Sequence, residues 1–271
     1  MPIHKSEAIV LKRYNFRETS MIANFYTRDC GKLSGILKGI RKEPAKFASN
    51  IEPFSYNEII FYRSRLGDLH LVSQCDLRES FNNIRNSIDK ITAAGLMMEL
   101  AAAIMPPEDK NEAVFDLILD CLRALDTNGT PEKIMTIFKI KILALSGFKP
   151  HFDSCVSCDE RIGAAQARFS LSLGGLLCGR CHKKDIKARS IFRGTIASIL
   201  YIERNNLQTN LNLGMNPQIK KELGIILNSF LEFHLGKELK SERFLNKIEA
   251  QLKDGAEFND SALHLEGASD K

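Results

Sequence analysis

Four cysteines carry the plainest chemistry in this sequence: Cys155-Val156-Ser157-Cys158 and Cys178-Gly179-Arg180-Cys181, with nineteen residues between the pairs. Each CxxC puts two sulfurs on one tight turn, and two such pairs fill a tetrahedral shell of thiolates, the ligand set of a structural Zn2+. A shell filled by protein sulfur leaves no position for water or substrate, so this metal would stabilise a structure and activate nothing. Cys155, Cys158, Cys178 and Cys181 are therefore the expected ligands of one zinc ion. His151 and His182 lie beside them and could substitute, but four thiolates leave both spare. A disulfide framework fits less well. The cysteine count of seven is odd, and bridges need an oxidising compartment. The opening Met1-Pro2-Ile3-His4-Lys5-Ser6-Glu7 has no apolar stretch behind a basic head, so no secretory signal is read there. A redox CxxC would come singly, near a βαβ pattern. Cys30, Cys75 and Cys121 stand alone among apolar residues and are expected to pack as small core groups.

The second pattern is cationic. Lys38-Gly39-Ile40-Arg41-Lys42-Glu43-Pro44-Ala45-Lys46 holds four bases and one acid, and Lys12-Arg13-Tyr14-Asn15-Phe16-Arg17 holds three bases and two aromatics. Lys32 lies in a second hairpin, Arg63 and Arg65 in a later connection. Cations hold phosphates and aromatics stack on bases, so the expected nucleic-acid surface is Lys12, Arg13, Arg17, Lys32, Lys38, Arg41, Lys42, Lys46, Arg63 and Arg65. The plain alternative is a set of solvated charged loops, with Tyr14 and Phe16 in the core. Signatures of catalysis are missing: no GxxxxGK[ST] phosphate loop, no GxSxG elbow, no HExxH. Scattered residues could still form a site, but the expectation is a protein without catalytic residues.

The elements that must position these groups fall into two periods. Residues 1–80 read as β-structure, with strands over Ser6–Tyr14, Thr19–Thr27, Leu33–Lys38, Phe54–Tyr62 and Leu69–Leu77. Met21, Ala23, Phe25 and Thr27 share one face of the second strand, and Asp29-Cys30-Gly31-Lys32 forms a turn after it. Five short strands with a longer link after the third suit a small OB-type barrel, a generic five-stranded barrel or sandwich being the alternative. Helical periodicity begins after Ser80: Asp89–Met105, Asn111–Leu125, and a helix opened by Thr130-Pro131-Glu132. The cysteine segment, 151–182, encloses a hairpin with Gly174-Gly175 at its turn, the form of a zinc ribbon. Helices resume around Ile196, Ile199 and Leu200, from Asn216-Pro217, and over Ser241–Leu252. The fold expected is α+β: an OB barrel (1–80), a helical domain in two parts (81–150 and 183–248) with the zinc module (151–182) inserted, and an acidic tail (249–271).

The 271 residues carry a net charge of +5. Residues 249–271 hold six acids against two lysines, −4, so the preceding residues carry +9. A basic body is a weak pointer to a polyanionic partner. No apolar stretch is long enough to span a bilayer, and a soluble, cytoplasmic protein is expected.

Taken in order, several segments resemble the RecO family of bacterial recombination mediators. Ala8-Ile9-Val10-Leu11 through Arg17-Glu18-Thr19-Ser20 is similar to that family's opening strand and turn, and Lys38-Gly39-Ile40-Arg41-Lys42 to its basic stretch. Leu145-Ser146-Gly147-Phe148-Lys149-Pro150 followed by the CxxC pairs resembles its central region, and Leu235-Gly236-Lys237-Glu238-Leu239-Lys240-Ser241-Glu242-Arg243-Phe244-Leu245 its C-terminal end. The resemblance implies an OB domain, a helical domain and, in many members, a zinc module; some members lack the cysteines. It implies binding of single- and double-stranded DNA, annealing of complementary strands, contacts with the single-strand binding protein and RecR, and help in loading RecA. A zinc-ribbon RNA-binding or transcription factor is the first rival, and a pure protein adaptor another.

Overall fold

The computed structural model describes residues 2–43, 47, 51–65, 67–127, 129–162 and 167–236. Lys46, the helix expected over Ser241–Leu252 and the acidic segment 249–271 lie outside the described residues.

Five strands, β1 (Ile3–Phe16), β2 (Ser20–Thr27), β3 (Gly31–Leu37), β4 (Tyr56–Tyr62) and β5 (Leu69–Glu79), close a barrel in the order β1-β2-β3-β5-β4. This is an OB-like barrel. Strand β1 is long enough to serve two neighbours: its first half pairs β4 and its second half pairs β2. Closure is the short parallel contact of Ser34–Ile36 with Leu69–Leu71.

Alternation explains why Ala8-Ile9-Val10-Leu11 is apolar without a break. Ala8 and Val10 point inward with Met21, Ala23, Phe25, Leu33 and Phe61. Ile9 and Leu11 point outward, with Tyr26 and Tyr56, and are buried beneath helices. A register shift between Val10 and Lys12 ends this arrangement, and Lys12 emerges into solvent.

The helices are α1 (Asn82–Arg85), α2 (Ile88–Ile104), α3 (Glu112–Asp126) and α4 (Pro131–Leu145). A small sheet follows, β6 (Arg168–Ser170), β7 (Gly175–Leu177) and β8 (Arg189–Ser190), in the order β7-β6-β8. Then come α5 (Arg193–Arg204), α6 (Leu207–Leu211) and α7 (Pro217–Leu235). Asn111 and Asn216 cap α3 and α7, accepting the Val114 and Ile219 amides at 3.1 and 2.8 Å. Thr130 holds the N-cap position of α4 without a side-chain bond, and Pro131 starts the helix. Residues of α2, α3, α4, α5 and α7 and the outward residues of the barrel share one core. The ribbon joins that core through Phe169, stacked on Phe152 at 5.4 Å and set against Phe230 at 6.3 Å. The sheet runs eight residues beyond the expected end of the module, because Arg189–Ser190 pairs with β6. No helix among the described residues is long and apolar enough to cross a membrane.

The barrel is pinned to the helices by consumed polar groups. Glu7 accepts from both Arg28 and Tyr56, and Arg28 also pairs with Asp116 at 2.8 Å and lies 4.5 Å over the Phe115 ring. Donation from Tyr56 and Arg28 outweighs burial and holds the Glu7 carboxyl below its ordinary value. Gly31, at φ +66°, lets the β2–β3 turn approach the α2–α3 loop: a Cβ there would stand 1.9 Å from the Asp109 carbonyl oxygen.

Candidate metal centre and nucleic-acid surface

The four sulfurs of Cys155, Cys158, Cys178 and Cys181 lie within 4.8 Å of one another and could hold a metal ion. Each pair sits on its own knuckle. Asp159 donates its amide to the Cys155 carbonyl at 2.8 Å and takes φ 58° to do so. The Cys181 amide reaches the Cys178 carbonyl at 3.0 Å. The sheet joins the two knuckles, because the Val156 amide donates to Leu176 at 2.8 Å and Cys178 follows directly on β7. Leu177 and Ala188 pack against the cysteines.

The sulfur geometry suits a tetrahedral ion. Metal–sulfur bonds of about 2.3 Å place tetrahedral sulfurs about 3.8 Å apart, and Cys158 and Cys178 Sγ are 3.8 Å apart. Desolvation would raise the Cys155 thiol, but backbone N–H groups of Cys178, Ser157 and Cys158 aimed at its sulfur bring it down to about 6. Cys158 goes up to about 12, through desolvation and then through hydrogen bonds shared with the other three thiols. Four thiolates cannot crowd together unaided, and a bound divalent cation reverses that preference. The histidines are engaged elsewhere: His182 Nδ1 lies 2.6 Å from the Gly179 carbonyl, and His151 Nε2 lies 2.6 Å from Ser154 Oγ. Of the other cysteines, Cys75 and Cys121 are buried, and Cys30 is half-buried against the barrel interior.

The predicted cations separate into groups. Arg17, Lys38, Arg41 and Lys42 come together at one end of the barrel. The Arg41 amide donates to the Thr19 carbonyl at 3.1 Å and its guanidinium to the Arg17 carbonyl at 3.3 Å, tying the β1–β2 turn to the segment after β3. Gly39, at φ +79°, turns that segment, and the Lys42 amide closes on its carbonyl at 3.0 Å. Arg17 itself takes φ 55° and lies 5.2 Å over the Phe16 ring. Lys12 and Arg13 stand on the strand leading to this end. Arg13 is paired with Glu52 at 2.8 Å, whereas Lys12, Arg17, Lys38, Arg41 and Lys42 are exposed with no salt bridge among the described residues.

Lys32 and Arg63 do not belong with them. Lys32 opens β3 and Lys38 follows its end, about 20 Å apart along an extended strand. Lys32 Nζ donates to the Ala102 carbonyl at 2.6 Å, and its own carbonyl accepts the Glu108 amide at 2.8 Å. Arg63 pairs with Glu108, which also meets the buried His70 ring at 3.0 Å. Both cations help fix the barrel to the α2–α3 loop. Arg65 is exposed on the connection beside Arg63, away from the Arg17–Arg41 end.

Two features of the outer sheet face escape a reading of the sequence. Lys12, Asn24 and Ser34 oppose one another across β1, β2 and β3, with Ser34 Oγ donating to Asn24 Oδ1 at 3.1 Å. Tyr14, opposite Ile22 in the next row, is 46% exposed and therefore not core. Residues directly opposed in an antiparallel pair share a face, so cation, polar ladder and aromatic lie side by side. Only register reveals the ladder.

Residues 1–81 match the family model described as Recombination protein O N terminal, and residues 85–243 match Recombination protein O C terminal. This chain belongs to the RecO family. It is 31% identical over 248 residues to the DNA repair protein RecO of Pelotomaculum thermopropionicum, covering 92% of this chain and 95% of that one. It is 31% identical over 244 residues to DNA repair protein RecO of Dehalococcoides mccartyi (90% and 95%) and 29% over 248 residues to that of Desulforamulus reducens (92% and 96%). The N-terminal RecO match ends just past β5 and the C-terminal match begins within α1, so the barrel and the part carrying the cysteines fall under separate family models. A RecO protein is a DNA repair protein, and its candidate surfaces are to be judged against DNA.

Proposed function

We propose that this RecO protein is a recombination mediator that binds DNA, anneals complementary single strands and helps load recombinase onto strands coated by single-strand binding protein. The observation that supports this most is the gathering of Arg17, Lys38, Arg41 and Lys42 on two turns tied together by the Arg41–Arg17 hydrogen bond. Lysines and arginines displace the counterions condensed on each strand, and that release drives binding. Neutralised strands repel each other less, so complementary bases can meet. Contacts to the backbone carry no sequence information, and annealing by this route serves any sequence. The process needs no covalent step and no catalytic residue. Its expected partners are single- and double-stranded DNA, the single-strand binding protein, RecR and, through loading, RecA, in the bacterial cytoplasm at the nucleoid.

In this reading the domains are the barrel (1–80), the two-part helical domain (81–150 and 183–248), the ribbon and the acidic tail. The ion held by Cys155, Cys158, Cys178 and Cys181 is a structural Zn2+. Four sulfurs also suit iron, and elemental analysis of the purified chain separates the two.

The test is annealing of two complementary labelled strands, bare and then coated with single-strand binding protein, at two salt concentrations. Acceleration on coated strands that weakens with salt is the expected result. No acceleration, alongside tight RNA binding, would replace the mediator with an RNA-binding ribbon protein.

A further inference from the structure

Among the described residues, the barrel end is one concentration of cations without ion pairs, and a second lies past the last cysteine. Residues 183–193, just past the last cysteine, hold five cations, Lys183, Lys184, Lys187, Arg189 and Arg193, against the single acid Asp185. All five are exposed, and none forms a salt bridge among the described residues. The nearby acids are committed to the fold. Asp185 accepts from Ser170 Oγ at 2.6 Å, Ser172 Oγ at 3.0 Å and the Lys187 amide at 2.9 Å. Glu222 accepts the Phe192 amide at 3.0 Å and the Thr195 hydroxyl, and so caps the start of α5 from a distance.

Lys187 and Arg189, together with the hydrogen-bonded carboxylate of Asp185, line a groove of about 510 Å³ from the ribbon side. From the α7 side Ile225 and Phe233 line it, 43% and 53% exposed, together with Glu222, whose carboxylate is held at the start of α5. The long axis of α7 forms one bank, so the groove is open and elongated along a rigid element. Beside it Ile186 is 89% exposed. Cations along one bank and an aromatic face on the other form the arrangement that holds a single strand, with phosphates on the cations and bases against the ring.

We propose that this ribbon–α7 face is a second binding site for single-stranded DNA, separate from the barrel end. The inference rests on the DNA-binding reading above and adds to it. Annealing brings two strands together, and one chain with two cationic faces can hold one on each. The ribbon's fold then matters to function because it sets Lys187 and Arg189 opposite α7.

The test uses the full chain with its metal and an oligothymidylate of about eight nucleotides, within the range one compact site accommodates. Native mass spectrometry counts oligonucleotides per chain, and a salt titration gives the slope of log K against log salt. The parent is expected to bind two, and K187E/R189E and R41E/K42E one each. K187E/R189E should lose annealing while the remaining site keeps its affinity. At the ribbon face each lost phosphate contact lowers the slope by about 0.7, so K187Q/R189Q, a milder change, should lower it by about 1.4. It also guards against misfolding of the reversed pair, as judged by metal content. A K187E/R189E protein that keeps two sites and parental annealing overturns the second site and leaves the barrel assignment standing. Unchanged DNA binding in both double variants would remove the barrel assignment as well, whereas a parent that binds no oligothymidylate would remove the DNA reading itself. Loss of polyglutamate binding with DNA binding intact would assign the face to an acidic protein and overturn the proposal.

Discussion

Replacing both Arg41 and Lys42 by glutamate tests the barrel surface most directly. Both side chains are exposed, and the one bond lost is that from the Arg41 guanidinium to the Arg17 carbonyl, at 3.3 Å on the surface. Stability should therefore stay within about 0.5 kcal/mol of the parent. Five cations at this end, Lys12, Arg17, Lys38, Arg41 and Lys42, have no ion pair among the described residues. If each meets one phosphate of a single strand, the slope of log K against log salt is about −3.5, and removing two brings it to about −2.1. Between 50 and 200 mM salt the parent then loses about 100-fold in affinity and the variant about 20-fold. Anisotropy of a labelled oligothymidylate reads this, with K187E/R189E as the background in both arms so that only the barrel reports. Equal slopes in two equally stable proteins would show that Arg41 and Lys42 meet no phosphate.

Other consequences separate stability from binding. Arg17→Gly removes a cation while relieving a left-handed residue: the relief of about 1 kcal/mol is offset by glycine's extra unfolded freedom of about 0.5–1 kcal/mol. Thermal stability should hold while the salt slope falls by about 0.7, and a protein that melts markedly lower would show that Arg17 serves the fold. Cys158→Ser should abolish stoichiometric metal by elemental analysis and open the ribbon to trypsin at Arg161 and Arg168, the barrel's salt slope staying parental; intact metal content would exclude Cys158 from the ligand set. The Glu7 carboxyl is held below 4.5 by Tyr56 and Arg28 against burial, so its contribution is complete above about pH 4.5 and is lost as pH falls through the lower folded value. The melting temperature of Glu7→Gln should accordingly vary less over that acid range than the parent's, and parallel profiles would remove Glu7 as the source.

The sequence is most readable where local chemistry decides. Two CxxC pairs bring four sulfurs together because each pair needs only its own turn and one hairpin between them. Asn111 and Asn216 announce helix starts because a cap is settled within three residues. Helix α1 and strand β8, of four and two residues, are too short to show a period, and β8 exists only because β6 offers it an open edge. Tyr14 and Phe16 illustrate the limit in another way. They follow an apolar run and read as core candidates, yet the register shift after Val10 leaves Tyr14 in water and Phe16 half-buried beneath Arg17.

The cations make the sharpest case. Lys12 and Lys32 are the same residue type, on the two strands that flank β2 in one barrel, and composition treats them alike. Tertiary packing does not. The outer face of the barrel around Ile9, Leu11, Tyr26 and Tyr56 is closed by helices, and the described cations along this seam meet a carbonyl or carboxylate: Lys32 at Ala102, Arg28 at Glu7 and Asp116, Arg63 at Glu108. A cation so engaged cannot release counterions from DNA without first giving up its partner, which costs more than a solvated lysine pays. The helices thus sort the barrel's positive charge into a fixing set and a free set. The free set is left where the Arg17 and Arg41 turns meet. Under the proposed DNA-binding reading, an interface between barrel and helices that looks purely structural decides which of the barrel's cations are left for a strand.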